Sequence, residues 1–249
     1  MFRCERNFIL WNKIGFCVST QRKCVEDIVN LPTTPESATV GFVGIPASIV
    51  CMEDEEMAGF YNNLTYVAVD GMPIIKQARK KGIIGERCSG PDIMDIIIKD
   101  SIEKNKTHYF YGGKNEDVLI KIRNNLIKRY SQIRIVGMYS PPFRDLTEEE
   151  DKKVCDEINK LKPDYVWVGI GQPRQDYWIE KHKTLLINTT ILGVGAAFDF
   201  FAGTLDRAPG RIQKLGLEWL YRFIKEPKRL WKRYFLGGFK YIYYCIRCR

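Results

Sequence analysis

Asp70 closes the apolar stretch 65–69 and is followed at once by Gly71 and a helical pattern. A carboxylate at a strand end has two uses. Its oxygen can cap the next helix, or, half-desolvated and raised in pKa, it can take a proton from a hydroxyl as a general base. Glycine-rich turns recur at similar places: Gly112-Gly113, Gly169-Ile170-Gly171 and Gly193-Val194-Gly195. Arg174 and Phe198 stand where G-x-G-x-x-G needs its last glycine, which argues against a dinucleotide site. The turns still allow a diphosphate to approach the backbone near helix N-termini, or they are plain tight βα turns. Gln172-Pro173-Arg174-Gln175 sets two amides and a guanidinium around a stiffening proline. Amides both donate and accept, as sugar recognition requires; the plain alternative is a polar loop ahead of the helix carrying Trp178. Arg87, in Glu86-Arg87-Cys88-Ser89-Gly90-Pro91-Asp92, either clamps a phosphate through its fork or pairs with Glu86 or another carboxylate. Pro91 suits the first turn of the helix that follows.

The elements that must position these residues alternate in type. Short β-rich runs fall at 40–45, 65–69, 108–111, 134–138, 164–169 and 190–194, with helical patterns at 49–62, 73–81, 91–104, 115–129, 147–160 and 175–183. Apolar strands separated by helices predict right-handed βαβ units: an α/β fold with a Rossmann-like, mainly parallel sheet flanked by helices. Ligands of such sheets lie beyond the carboxyl ends of the strands, so the glycine turns and Asp70 point to one crevice. Thr147 ahead of Glu148, Glu149 and Glu150 reads as a capped, solvated helix start rather than a metal site.

Charge divides the chain unevenly. Residues 211–249 carry eleven Lys/Arg against Glu218 and Glu226, which equals the net charge of +9 for the whole chain; the first 210 residues hold 28 basic and 28 acidic side chains. Ten of the 31 aromatic residues share this tail. The expected organisation is a catalytic α/β domain over 1–208 and a basic, aromatic helical appendage over 209–249, joined near Gly203 to Gly210. No stretch approaches the roughly 20 apolar residues of a membrane span, and the N-terminus lacks the apolar core of a signal peptide. On a helical wheel Phe235 and Ile242 fall beside Trp231, with Arg229, Lys232, Arg233 and Lys240 opposite, which fits an interfacial helix on an anionic membrane. The alternative is a helix docked on the body with a solvated basic face. Pro227 is expected to separate it from the helix carrying Trp219, and Gly237-Gly238 to kink it. Eight irregularly spaced cysteines suggest no disulfide framework. Only Cys245 and Cys248 form a CxxC, a weak zinc signal by itself. Of the two histidines, His182 reads as solvated surface. No Asp-x-Asp occurs, so the usual carboxylate pair for a divalent metal is missing from the sequence. Basic charge and aromatics alone would also suit a nucleic-acid-binding protein, but no such motif appears.

Asp70-Gly71, Glu86-Arg87-x-Ser89-Gly90-x-Asp92, Gly112-Gly113, Tyr139-Ser140-Pro141-Pro142-Phe143, Gly169-x-Gly171-x-Pro173-Arg174-Gln175 and Gly193-Val194-Gly195-Ala196-Ala197-Phe198-Asp199 occur in that order. Ala202-Gly203, Arg207-Ala208-Pro209, Gly216-Leu217-Glu218-Trp219-Leu220-Tyr221-Arg222, Glu226-Pro227-x-Arg229-Leu230 and Arg233-Tyr234 follow. Over about residues 40–236 this series resembles the WecG/TagA/CpsF family of bacterial glycosyltransferases. The resemblance implies a metal-independent, inverting transferase, with no cofactor, that moves a hexose-type unit from a UDP-sugar to a polyprenyl-diphosphate-linked sugar. It implies a peripheral enzyme on the cytoplasmic membrane face, serving cell-surface polysaccharide or teichoic-acid synthesis. A non-catalytic UDP-sugar-binding scaffold is the alternative. By the same resemblance Asp70 is the base, and Gln172 and Arg87 are active-site residues. Gly44, Gly112, Gly113, Tyr139, Gly171, Pro173, Gln175, Gly193, Gly195, Asp199 and Arg207 line the substrate. Arg222, Arg229 and Arg233 meet the lipid diphosphate or the membrane. Gly44-Ile45-Pro46 stands where many members carry Thr-x-Asn, which bears on the identity of the donor sugar more than on the reaction.

Overall fold

The computed structural model describes residues 3–33, 36–214, 217–231 and 236–248. Six strands form one sheet: β3 (Ala38–Val43), β4 (Tyr66–Val69), β5 (Thr107–Gly112), β6 (Arg134–Tyr139), β7 (Tyr165–Gly169) and β8 (Thr190–Gly193), in the order β4-β3-β8-β7-β5-β6. Every neighbouring pair is parallel. The expected strands and their parallel arrangement are therefore present. Helices cover both faces, so the inner strands are buried throughout and read as nearly unbroken apolar runs. Alternate residues serve two cores: Val67, Val69, Tyr109, Tyr111, Val166 and Val168 face one, while Tyr66, Ala68, Phe110, Trp167 and Leu192 face the other.

Two elements precede the sheet: the antiparallel hairpin of β1 (Phe8–Leu10) and β2 (Ile14–Phe16), and α1 (Gln21–Val29), capped by Thr20. The expected helix over 49–62 is two helices, α2 (Ile45–Glu53) and α3 (Glu55–Asn63). Asp54 breaks it by turning extended and accepting the Met57 amide in its side chain. The body continues through α4 (Met72–Lys80), α5 (Gly90–Glu103), α6 (Glu116–Arg129), α7 (Glu148–Leu161), α8 (Arg174–His182) and α9 (Ala197–Phe201). At the start of α7, Thr147 and Glu150 form a full capping box, as the sequence indicated.

His182 is a correction. It is 1% exposed rather than solvated. It lies one turn after Trp178 on the inward side of α8, stacks on that ring at 4.0 Å and bonds Asp151 Oδ1 at 2.9 Å. His108 is a core fixture whose Nδ1 accepts from Trp167 Nε1 at 3.0 Å. Burial lowers its pKa to about 4 and keeps it neutral.

The basic segment forms α10 (Gly210–Lys214), α11 (Glu218–Lys225), α12 (Pro227–Trp231) and α13 (Gly237–Arg247). Pro227 separates α11 from α12, as expected. The helical wheel drawn through Trp231, Phe235 and Ile242 passes through 232–235, Arg233 included, which lie outside the described residues; the described pieces are α12 and α13. One stripe of α13 docks on the body. Tyr241 and Tyr244 pack on Trp11 with ring centroids 5.7 and 5.4 Å away, Gln77 Nε2 donates to the Tyr241 hydroxyl at 2.8 Å, and Lys240 pairs with Glu53 at 2.7 Å. Phe239, Ile242, Tyr243 and Ile246 face outward and are all more than half exposed. The exposed side of α13 is thus apolar, and Lys240 is tied to the body. Among the described residues no helix is long and apolar enough to cross a membrane.

Candidate active site

Because the sheet is parallel throughout, all six strands end at the same edge. Asp70 follows β4 there, Gly44 follows β3, Gly195 lies beyond β8 and Gln172 beyond β7; Gly112 and Tyr139 end β5 and β6. Asp70 is pinned through its amide, which donates to Val43 O at 2.9 Å. It does not cap α4. Gly71 is the N-cap, with no side-chain cap bond, and Pro73 sits in the first turn. The side chain of Asp70 is 32% exposed.

Arg87 is held beside it. The next residue, Cys88, donates its amide to Val69 O at 2.8 Å, tying this segment to the end of β4. Arg87 Nη1 lies 3.8 Å from Asp70 Oδ1, and Nη2 reaches Glu218 Oε2 at 2.8 Å and Asp92 Oδ2 at 3.4 Å. Glu86 is not its partner, for Glu86 accepts the Gln21 amide at the start of α1. Arg207 Nη1 binds Asp92 Oδ1 at 2.7 Å, and its Nε stands 3.8 Å from Glu218 Oε1. Burial works against charge on Arg87, but Asp70, Glu218 and Asp92 outweigh it and raise its pKa. Burial likewise pushes Asp92 up; the hydrogen bond from Arg207 and that from Ser89 win and hold its carboxyl below the usual range. Arg207 Nε and Nη2 are buried and have no hydrogen-bond partner among the described residues. The result is a cluster of two guanidiniums and three carboxylates, with Glu218 arriving from α11.

A second group surrounds Gln172. Its Nε2 donates to the Tyr61 hydroxyl at 2.7 Å, and Tyr61 donates to Asp176 Oδ2 at 2.8 Å. Asp176 is 4% exposed. Burial raises its pKa to about 6, against the hydrogen bonds from Tyr61 and Gln172. Gln175 is also buried and spends its Oε1 on the Gly195 amide at 2.8 Å. That bond shapes the β8–α9 turn, in which Gly195 takes a φ of +52°. Gly193 leaves the space Gln175 needs, since a Cβ there would lie 2.6 Å from Gln175 Nε2. Gly112 has a φ of +142°, and a Cβ on it would stand 2.6 Å from the Gly169 carbonyl carbon. Gly113 donates its amide to that same carbonyl at 3.2 Å. Tyr139 stacks on Tyr111 at 5.8 Å. Asp199 Oδ1 lies 3.5 Å from Lys114 Nζ, which joins the turns after β5 and β8. Arg174 lies over the exposed Phe143 ring at 5.4 Å.

The structure thus brings Asp70, Arg87 and Arg207 into one charged cluster, with Gly44 packed close against the Asp70 carbonyl, where a Cβ would lie 3.0 Å from its oxygen. Gln172, Pro173 and Gly171 form the adjoining loop, and Gly112, Gly113, Tyr139 and Asp199 extend the edge. Arg222 and Arg229 lie on α11 and α12, with their side chains outside the description, as is all of Arg233. Sequence reasoning left Glu218, Tyr61 and Asp176 out of the site. Glu218 had a signal, as one of two acids in a strongly basic segment. Tyr61 and Asp176 had none, being 115 residues apart.

A model of the glycosyl transferase WecG/TagA/CpsF family matches residues 12–249. A Staphylococcus aureus (strain MW2) protein named N-acetylglucosaminyldiphosphoundecaprenol N-acetyl-beta-D-mannosaminyltransferase is 33% identical over 170 residues, 68% of this chain and 65% of the relative. The protein of the same name from strain MRSA252 is 32% identical over the same shares. The matched region therefore spans just under two thirds of the length of these relatives.

Proposed function

The chain belongs to the WecG/TagA/CpsF family of glycosyltransferases, and on that premise we propose that it moves an N-acetylmannosamine-type or related hexose from a UDP-sugar to a polyprenyl-diphosphate-linked sugar. The reaction inverts the anomeric centre, needs no metal and serves cell-surface polysaccharide or teichoic-acid synthesis. The name of the Staphylococcus aureus relatives, an N-acetyl-beta-D-mannosaminyltransferase of N-acetylglucosaminyldiphosphoundecaprenol, supports the transferred sugar and the lipid-linked acceptor. The observation that carries the reading is Asp70: a strand-end carboxylate, released from capping by Gly71 and set 3.8 Å from Arg87.

Asp70 takes the proton from an acceptor-sugar hydroxyl as that oxygen bonds to the anomeric carbon. The bond from that carbon to the diphosphate oxygen breaks on the opposite face, and UDP leaves with the electron pair. Negative charge grows on the diphosphate, and Arg87 and Arg207 answer it. Arg207 Nε and Nη2, which make no hydrogen bond among the described residues, suit such a ligand. Backbone amides of the glycine turns and the N-terminus of α5 add to the positive field. The outward apolar row on α13 (Phe239, Ile242 and Ile246) supports peripheral attachment to the membrane that holds the acceptor.

The test is UDP release by the full chain with EDTA present, over a panel of UDP-sugars and a short-chain polyprenyl-diphosphate-GlcNAc acceptor. Asp70→Asn is run alongside, and the product anomer is read by NMR. Acceptor-dependent release with one donor, reduced about 10²–10⁴-fold in the variant, is expected. UDP binding without turnover for any donor would reject the transferase in favour of a scaffold, and activity only after added Mg²⁺ would reject the metal-free route.

A further inference from the structure

The Gln172 amide, exposed at the strand edge, is anchored from behind by a chain of hydrogen bonds with one direction. Asp176 is buried, has no ion-pair partner among the described residues, and when ionised can only accept. Tyr61 has a single hydroxyl proton and gives it to Asp176 Oδ2. The Tyr61 oxygen must then accept, and the group that donates to it is Gln172 Nε2. With its nitrogen so engaged, the amide has its oxygen left for a ligand. We infer that Tyr61 and Asp176 are a positioning pair that fixes Gln172 with Oε1 presented, as an acceptor, to a hydroxyl of the bound sugar. The inference rests on the transferase reading of the site.

A buried carboxylate is a poor choice for stability alone. Asn would fill the same space without charge, but its amide could both donate and accept, so the chain would lose its enforced direction. The groups that face Asp176 are few: Tyr61 from α3, Gln172 from the preceding loop, and Cys51 from α2. Burial, reinforced by Asp176, pushes the Cys51 thiol to about 12, so it stays neutral. Tyr61 is raised well above the usual phenol range by burial and by Asp176, and it too stays neutral. Asp176 is therefore the member of this group that titrates near neutrality. When it gains a proton it becomes a donor to Tyr61; Tyr61 is then free to donate toward Gln172, and the amide can reverse and offer its NH₂ instead.

Two measurements on the full chain test this. The first follows the side-chain ¹⁵N–¹H amide signal of Gln172, assigned by its loss in Gln172→Ala, from pH 5 to pH 8. It is expected to shift with a midpoint near 6 and to stay still in Asp176→Asn. The second is a mutant cycle in the UDP-release assay. Tyr61→Phe is expected to lower kcat/KM about tenfold, mostly through KM, and to cost nothing further in a Gln172→Ala background. A static amide in an active enzyme, or an equal loss from Tyr61→Phe with and without Gln172, overturns the positioning pair. A titrating amide in a protein that turns over no donor overturns the sugar-binding role while leaving the directed chain in place, so the two failures are told apart. The amide titration needs no variant at Tyr61 and decides the matter even where Tyr61→Phe does not fold.

Discussion

Asp176→Asn should make the protein more stable at neutral pH, and the size of the gain should depend on pH in a defined way. Burial raises the carboxyl from 3.8 to about 6. Each unit corresponds to about 1.4 kcal/mol, so ionised Asp176 costs the native state about 3 kcal/mol at most. The folded protein holds this proton more tightly than the unfolded chain. Between about pH 4 and pH 6 the native state therefore binds more protons, and the contribution of the group to stability falls as pH rises through that window. Asn keeps an oxygen that can accept from Tyr61 and removes the charge. The gap between variant and wild type should be near zero at pH 4, widen through pH 6 and level off above pH 7 at up to about 3 kcal/mol. For a chain of this size that is roughly 6–12 °C in Tm. Urea unfolding followed by circular dichroism at half-unit steps measures it. Subtracting the two curves cancels Asp92, Asp151 and Asp164, whose pKa values are lowered and whose stabilisation is lost in the opposite direction, as pH falls. A gap that does not change with pH, or a variant less stable than wild type at pH 8, would refute the reasoning.

Gly112→Ala should destabilise the body by about 2–4 kcal/mol, because a Cβ meets the Gly169 backbone and the residue must hold a φ of +142°; urea midpoints at constant slope measure it. Replacing Phe239, Ile242 and Ile246 together by Ser should leave Tm within about 2 °C, since all three are exposed. The same variant should lower binding to anionic vesicles of phosphatidylglycerol at least tenfold in a flotation assay. Unchanged flotation would remove α13 from the membrane contact.

The parallel sheet was legible because its strands are apolar runs separated by helical stretches, and the periods of the two elements differ sharply. The hairpin of β1 and β2 was not. Its strands have three residues each, and its turn places Trp11 and Asn12 at φ of +53° and +54°, without the glycine that usually marks such a turn. Asp54 stands in the acidic run Glu53-Asp54-Glu55-Glu56, a cap followed by first-turn acids, and that helix-start signal was passed over in favour of the apolar residues on either side. Asp70 stood out at its strand end, but the choice between helix cap and active-site carboxylate depended on where α4 begins, a matter of one residue. Glycine at 71 takes the cap position without any side chain. The arginines of the cluster and Asp70 were named from the sequence, while Glu218 was not placed with them, because it lies 131 residues from Arg87 in the chain. The docking stripe of α13 at Tyr241, Tyr244, Cys245 and Cys248 has helical spacing, yet the aromatic residues on its outer side mask which face is inward.

The order of strands also has a consequence for synthesis. β3 lies one place in from the edge strand β4, with β4 on one side and β8 on the other. Ser37, at the entrance to β3, bonds the Leu186 carbonyl 149 residues later. At ribosomal rates of about 5–20 residues per second, the β8 side of β3 stays open for roughly 6–25 s after its β4 side can close. During that interval the nascent chain carries an apolar strand with free backbone donors and acceptors, the kind of edge that recruits other chains. The last strand to emerge is the one that closes the centre of the sheet. Yield in the cell should therefore be governed by how well that edge is shielded before β8 appears, and not only by the stability of the finished fold.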